Sequence, residues 1–171
     1  NRPSAKELLL TPGNARRVAE QLSTMRGAAM KVGQMLSMDT GEFLPRELAD
    51  ILARLRDDAR HMPPEQLQQA MHEAYGSDWE TLFYGVEMTP LAAASIGKVH
   101  KTISADVCEI VLKVQYPGVA DSIDSDVDNI AGLLRLSGLM PAGIELQPLL
   151  DDAKVQLKNE ADYLKEAKFL K

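Results

Sequence analysis

Residues 90–99 read Pro-Leu-Ala-Ala-Ala-Ser-Ile-Gly-Lys-Val, and residues 109–115 read Glu-Ile-Val-Leu-Lys-Val-Gln. The first stretch crowds small residues ahead of a run of strand formers, and the second carries one internal lysine, Lys113. Small side chains at a tight turn between two strands let backbone N–H groups approach an anion closely. "SIGKVHKTI" and "EIVLKVQ", separated by Ser104-Ala105-Asp106-Val107-Cys108, predict an antiparallel hairpin with a moderately long or bulged turn. Each feature also has a bland reading. An Ala-Ala-Ala-Ser run is more often helix or buried strand, and a strand lysine is more often a solvated edge residue.

Outward from this hairpin the chain reads as helical. Thr11-Pro12-Gly13 precedes a cap at Asn14, and Val18, Leu22, Met25, Ala29, Val32 and Leu36 keep spacings of three and four, which predicts a long amphipathic helix over Ala15–Met38. A second helix is expected from Pro45, with Leu48, Ile51, Leu52 and Leu55 on one face. A third starts at Pro63-Pro64 and stops at Gly76. Beyond the hairpin, Tyr116-Pro117-Gly118 ends the second strand, and Ile123, Val127, Ile130, Leu133 and Leu134 mark a helix over about Asp121–Leu136. Gly138, Pro141 and Gly143 break it, and a last helix runs from Leu146 through Leu149, Ala153, Leu157, Ala161, Leu164 and Ala167 to the chain end.

Composition narrows the class. The chain has 171 residues, 45% of them hydrophobic and 26% charged, which is ordinary for a globular domain. A net charge of −6 and few aromatic residues argue against a nucleic-acid partner, whose binding rests on lysine and arginine displacing counterions and on stacking platforms. The single cysteine, Cys108, can form no internal disulfide and has no metal-ligand spacing around it, so a reducing compartment is expected. No apolar run is long enough to span a bilayer. The first residues, Asn1-Arg2-Pro3-Ser4, and an uncapped helical pattern at Lys171 suggest a piece of a longer protein.

Two further motifs carry polar chemistry. "MRGAAMKVGQMLSMD" sets Lys31 and Gln34 one turn apart on the first helix with Gly33 between them, so one face offers an ammonium and an amide where another element can come close. "NEADYLKEA" sets Asp162 and Glu166 on one face of the last helix and Glu160 on another, able to meet Lys31 and Lys113 separately. Surface residues on core helices are the alternative in both cases.

In protein kinases a G-x-G-x-x-G-x-V turn covers the nucleotide phosphates, and a lysine on the next strand, in V-A-I-K, pairs with the phosphates and a helix glutamate. Gly97-Lys98-Val99 resembles the end of that turn, and "IVLK" resembles the lysine strand. The leading glycines are replaced by Ala92, Ala93 and Ala94, whose methyl groups oppose positive φ and make the loop stiffer. "MKVGQ", "AAASIGKVH", "VLKVQYPGV" and "NEADYLKEA", in this order, resemble the UbiB/AarF family of atypical protein-kinase-like proteins, linked to ubiquinone biosynthesis and lipid homeostasis.

The resemblance implies an α+β, mostly helical fold: a helical N-terminal extension (1–76) bearing the K-x-G-Q helix, packed on a kinase-like small lobe (77–171) with a small antiparallel sheet. It implies that Ala92, Ala93, Ala94, Ser95, Ile96 and Gly97 cover the nucleotide, that Lys113 pairs with its phosphates, and that Glu166 orients Lys113. Lys31 and Gln34 would then be the K-x-G-Q pair on an extension lying across the peptide site of an ordinary kinase, met by the E-x-D residues Glu160 and Asp162.

ATP and Mg²⁺ are the implied cofactors, and a lipid or quinone intermediate and a membrane surface are the implied further partners. The implied setting is the cytoplasmic side of a bacterial inner membrane. A kinase's catalytic aspartate and metal-binding residues are expected after Glu166's helix, beyond Lys171, so no metal ligand is assigned. The hairpin turn Ala105-Asp106-Val107 departs from the Asp-Gly-like turn usual in the family. The rival reading is a non-catalytic helical interaction module with vestigial kinase-like features, its first-helix methionines Met25, Met30, Met35 and Met38 forming an adaptable binding face.

Overall fold

The computed structural model describes residues 21–39, 49–50, 62–137 and 143–169. The start of the expected Ala15–Met38 helix and nearly all of the one expected from Pro45 lie outside them. Residues 21–24 are helical, Met25 makes a turn, and helix α1 follows over Arg26–Asp39. Leu22, Met25, Ala28, Ala29, Val32 and Leu36 are buried, the spacing of one helical face.

Helix α2 (Pro64–Tyr75) shows both of its expected ends. Pro64 occupies the first turn, where its fixed φ suits the helix and its missing N–H is not needed. Gly76, at φ 84°, ends the helix while its N–H donates to the His72 carbonyl (2.8 Å). Leu67 and Met71, four apart, are its buried residues. With Met62, Trp79 and Val114 they form a core, against which Ala70, Phe83, Val86, Leu112 and Tyr116 pack. Trp79 opens a short 3₁₀ turn, Trp79–Thr81.

The sheet has four antiparallel strands: β1 (Phe83–Tyr84), β2 (Ala92–Ala94), β3 (Gly97–Ser104) and β4 (Glu109–Gln115). β3 is its hub, pairing with each of the others. The expected β3–β4 hairpin is present, with Val99 opposite Lys113 and Ile103 opposite Glu109. β1 and β2 were not legible as strands, being two and three residues long. Short strands give alternation too few positions to show itself.

Helix α3 (Val119–Ser137) has Asp121 in its first turn and Arg135 in its last, both favourable to the helix dipole. Ile123, Val127, Ile130, Ala131 and Leu134 make its buried stripe. Helix α4 (Leu146–Ala161) buries Leu149, Leu150, Ala153 and Leu157. The single last helix expected from periodicity is broken: Asp162, at φ −85° and ψ 81°, separates α4 from a short helix α5 (Tyr163–Phe169).

The chain divides into two compact units. One contains α1, α4, α5 and α3 from Ala120 onward; the other contains α2 and the whole sheet. The architecture is α+β and mostly helical, as expected, and in the helical unit α1 packs on α4.

Candidate functional site

Each strand of the β3–β4 hairpin presents two faces, because successive side chains alternate. On β3, Lys98, His100 and Thr102 are buried, whereas Lys101 and Ile103 are exposed. The opposing β4 residues follow suit: Val114, Leu112 and Ile110 face inward with them, and Lys113 and Val111 lie on the exposed side. Val99 and Lys113 are cross-strand partners and so share the open face. The pairs Ala92–Val99 and Ala94–Gly97 bring Ala92 and Ala94 to that side, and Ala93, opposite Lys98, belongs to the other.

The Ala92–Gly97 segment is therefore not one loop. Its alanines form strand β2, Ser95 and Ile96 alone make the turn, and Gly97 begins β3. No residue of the segment has a positive φ, which is why alanine is accepted where kinases use glycine. Gly97 is retained for a different reason. A Cβ there would lie 2.3 Å from the Val114 carbonyl oxygen, closer than any side chain tolerates. The turn is tied to the end of β4 by the Tyr116 N–H, which donates to the Ile96 carbonyl (3.0 Å).

In the helical unit, Lys31 on α1 forms an ion pair with Glu160 on α4, the two side chains being 12% and 35% exposed. Gln34 is exposed. Asp162 is engaged differently, for its Oδ1 accepts from the Lys165 backbone N–H (2.9 Å), and its carbonyl accepts from the Glu166 N–H (3.0 Å). It is thus the N-terminal cap of α5, the helix that carries Glu166 in its first turn. Lys113 and Glu166 belong to different units and are described each within its own.

Two exposed pairs bridge α3 and α4, Lys154–Asp128 (2.6 Å) and Lys158–Asp124 (2.8 Å). The hydrogen bond from Lys158 holds the Asp124 carboxyl below the ordinary carboxylate range, and the bond to Asp128 raises the Lys154 ammonium above its usual value. Among the described residues no three His, Cys, Asp or Glu side chains are grouped to hold a metal ion. No described helix is long and apolar enough to cross a membrane.

A small antiparallel sheet with a small-residue hairpin beside a lysine strand resembles the sheet of a protein-kinase-like small lobe. The chain belongs to the ABC1 atypical kinase-like family, whose domain matches residues 54–171. It is 42% identical over 170 residues to the atypical kinase COQ8, mitochondrial, of Saccharomyces cerevisiae, covering 99% of this chain and 34% of that protein. It is also 42% identical over 166 residues to the atypical kinase coq-8, mitochondrial, of Caenorhabditis elegans, covering 97% and 22%. A solved chain titled the complex structure of Rv3197-erythromycin from Mycobacterium tuberculosis is 28% identical, with a TM-score of 0.44, covering 88% of this chain and 39% of that one. The UbiB/AarF membership expected from the four motifs is borne out, and the chain spans about a third or less of these relatives' length.

Proposed function

We propose that this chain is the nucleotide-binding half of a UbiB-type atypical kinase or ATPase that, in the intact protein, uses ATP with Mg²⁺ in support of ubiquinone biosynthesis or lipid homeostasis. The observation that carries the proposal is the open face of the sheet, where Val99 on β3 stands between Lys113 on β4 and Ala92 on β2. The residues fit a nucleotide. Lys113 is exposed on that face, so its ammonium can place phosphates. The β2–β3 hairpin, stiffened by alanines, covers them, and Val99, the valine that ends the hairpin motif, offers an apolar surface to a base.

Bound ATP supplies the transferable phosphoryl group, and Mg²⁺ neutralises its charge. In this reading Glu166 orients Lys113, which needs a partner once a ligand excludes water from it. Lys31 and Gln34 belong to the helical extension, residues 1–76, that restricts access to the site, and Glu160 anchors that extension through Lys31. The small lobe of the proposal, residues 77–171, is a functional division; the compact units group α1 with α4 instead. Partners of the intact protein would be ATP, a lipid or quinone intermediate and a membrane surface. Both named relatives are mitochondrial by name, where a bacterial inner membrane was expected. Family membership favours this reading over a vestigial interaction module.

The test is Lys113→Ala in the full-length protein. Loss of a charge-assisted phosphate contact, about 1.5–3 kcal/mol, should weaken ATP binding roughly 10- to 100-fold. Unchanged affinity and turnover would refute the role.

A further inference from the structure

Between β1 and β2 the ladder along β3 is interrupted. Tyr84 pairs with Ile103 and Ala92 with Val99, so residues 85–91 face only residues 100–102 of β3. The surplus must loop out, and backbone bonding at its ends is limited to Glu87 N–H to the Lys101 carbonyl (2.9 Å) and Leu91 N–H to the Val99 carbonyl (2.8 Å). Two side chains from the buried face of β3 supply the missing bonds. Thr102 Oγ1 donates to the Tyr84 carbonyl (3.0 Å), and His100 Nδ1 lies 2.7 Å from the Glu87 carbonyl. A carbonyl only accepts, so Nδ1 carries the hydrogen and donates it.

The rest of the ring points to the same role. His100 is fully buried, and among the described residues its Nε2 has no hydrogen-bond partner. A buried ring nitrogen without a partner is costly, and a leucine or phenylalanine would fill the space without that cost. Packing alone does not account for a histidine here; the bond to Glu87 does.

We infer that His100 is a positioning residue for the nucleotide hairpin: by holding the Glu87 carbonyl it fixes where the looped segment leaves the sheet, and so constrains its return at Leu91 and the line of Ala92 and Ala94 along β3, across from Lys113. The inference rests on the nucleotide reading above. Glu87 itself is exposed, so its backbone can shift toward water once released, and the loss falls on placement more than on folding.

The experiment uses the full-length protein, titration calorimetry with ATP and Mg²⁺, and hydrogen exchange at the Leu91 amide. His100→Leu should raise the ATP dissociation constant about tenfold and speed Leu91 exchange. His100→Asn, whose amide N–H stands near the place of Nδ1–H, should restore both. His100→Gln, whose amide reaches the Nε2 position instead, should not, and the Asn–Gln contrast decides the matter if the leucine variant fails to fold. Lys113→Ala is titrated alongside. If it weakens ATP binding while His100→Leu and His100→Gln leave it unchanged, the positioning role is overturned and the nucleotide reading stands. If Lys113→Ala itself binds ATP normally, both are overturned, and Leu91 exchange reports only a structural tether.

Discussion

Gly97, the first residue of β3, and Val107, in the turn after it, break opposite expectations about where glycine belongs. Gly97 has an ordinary backbone conformation but no room, since an added Cβ meets backbone atoms of Val114 and Gln115 that a strand ladder holds in place. Val107 has room but the wrong conformation: it is 81% exposed and sits at φ 62°, where a β-branched residue is strained. It occupies the turn in which the Ser104 carbonyl accepts from the Val107 N–H (2.9 Å), a place suited to glycine or asparagine. Gly97→Ala should therefore cost about 1–3 kcal/mol, and Val107→Gly should gain up to about 1 kcal/mol, the relieved strain exceeding the added flexibility of the unfolded chain. Thermal denaturation checks the pair, and equal midpoints for Gly97→Ala and the parent would remove the close-approach argument. The small-residue pattern made Gly97 noticeable in the sequence; its reason, the nearness of β4, is a fact of pairing.

At the scale of elements, the instructive case is the break between α4 and α5. Apolar spacing continues from Leu146 to Ala167 without interruption, and the spacing alone predicts one helix. Asp162 ends it by taking the Lys165 N–H with its own side chain, a local bond that competes with helix continuation. The carboxylate expected to meet Lys31 alongside Glu160 is thus bonded to the helix carrying Glu166. Replacing a cap of this kind with alanine costs about 1 kcal/mol, whereas asparagine caps equally well. Urea denaturation should accordingly show Asp162→Ala destabilised and Asp162→Asn close to the parent; equal losses in both would mean that the charge, rather than the cap, matters. The spacing does not mark this cap, because the bond goes to a backbone N–H that any residue at position 165 would offer.

At the scale of the whole molecule, the ion pairs differ in what they can hold together. Lys31–Glu160 joins α1 to α4 inside one compact unit and is shielded on the lysine side. Lys154–Asp128 and Lys158–Asp124 join α3 to α4 with their carboxylates largely in solvent. Salt screens exposed charges strongly and shielded ones weakly. A double-mutant cycle of Lys31→Met with Glu160→Gln should give a coupling of about 1–2 kcal/mol, between the exposed and buried limits, and it should persist in 1 M salt. The same cycle on Lys158 and Asp124 should lose its coupling there. A Lys31–Glu160 coupling that salt abolishes would reduce the pair to a surface contact and remove its support for an anchored extension.

What the sequence determined by itself were features carried by near neighbours: the ends of α2 at Pro64 and Gly76, the β3–β4 hairpin, the stripe of α3, and the ordered motifs that named the family. Such signals rest on bonds and spacings within a few residues, so they are present before the chain folds. Only the tertiary structure decided which side of β3 goes inside. Hydropathy would bury Val99 and Ile103, yet Lys98, His100 and Thr102 are the buried ones. The reason is pairing at a distance: Leu112 and Val114 of β4 bring apolar area to that side, the Glu87 and Tyr84 carbonyls satisfy His100 Nδ1 and Thr102, and none of these partners is near in sequence.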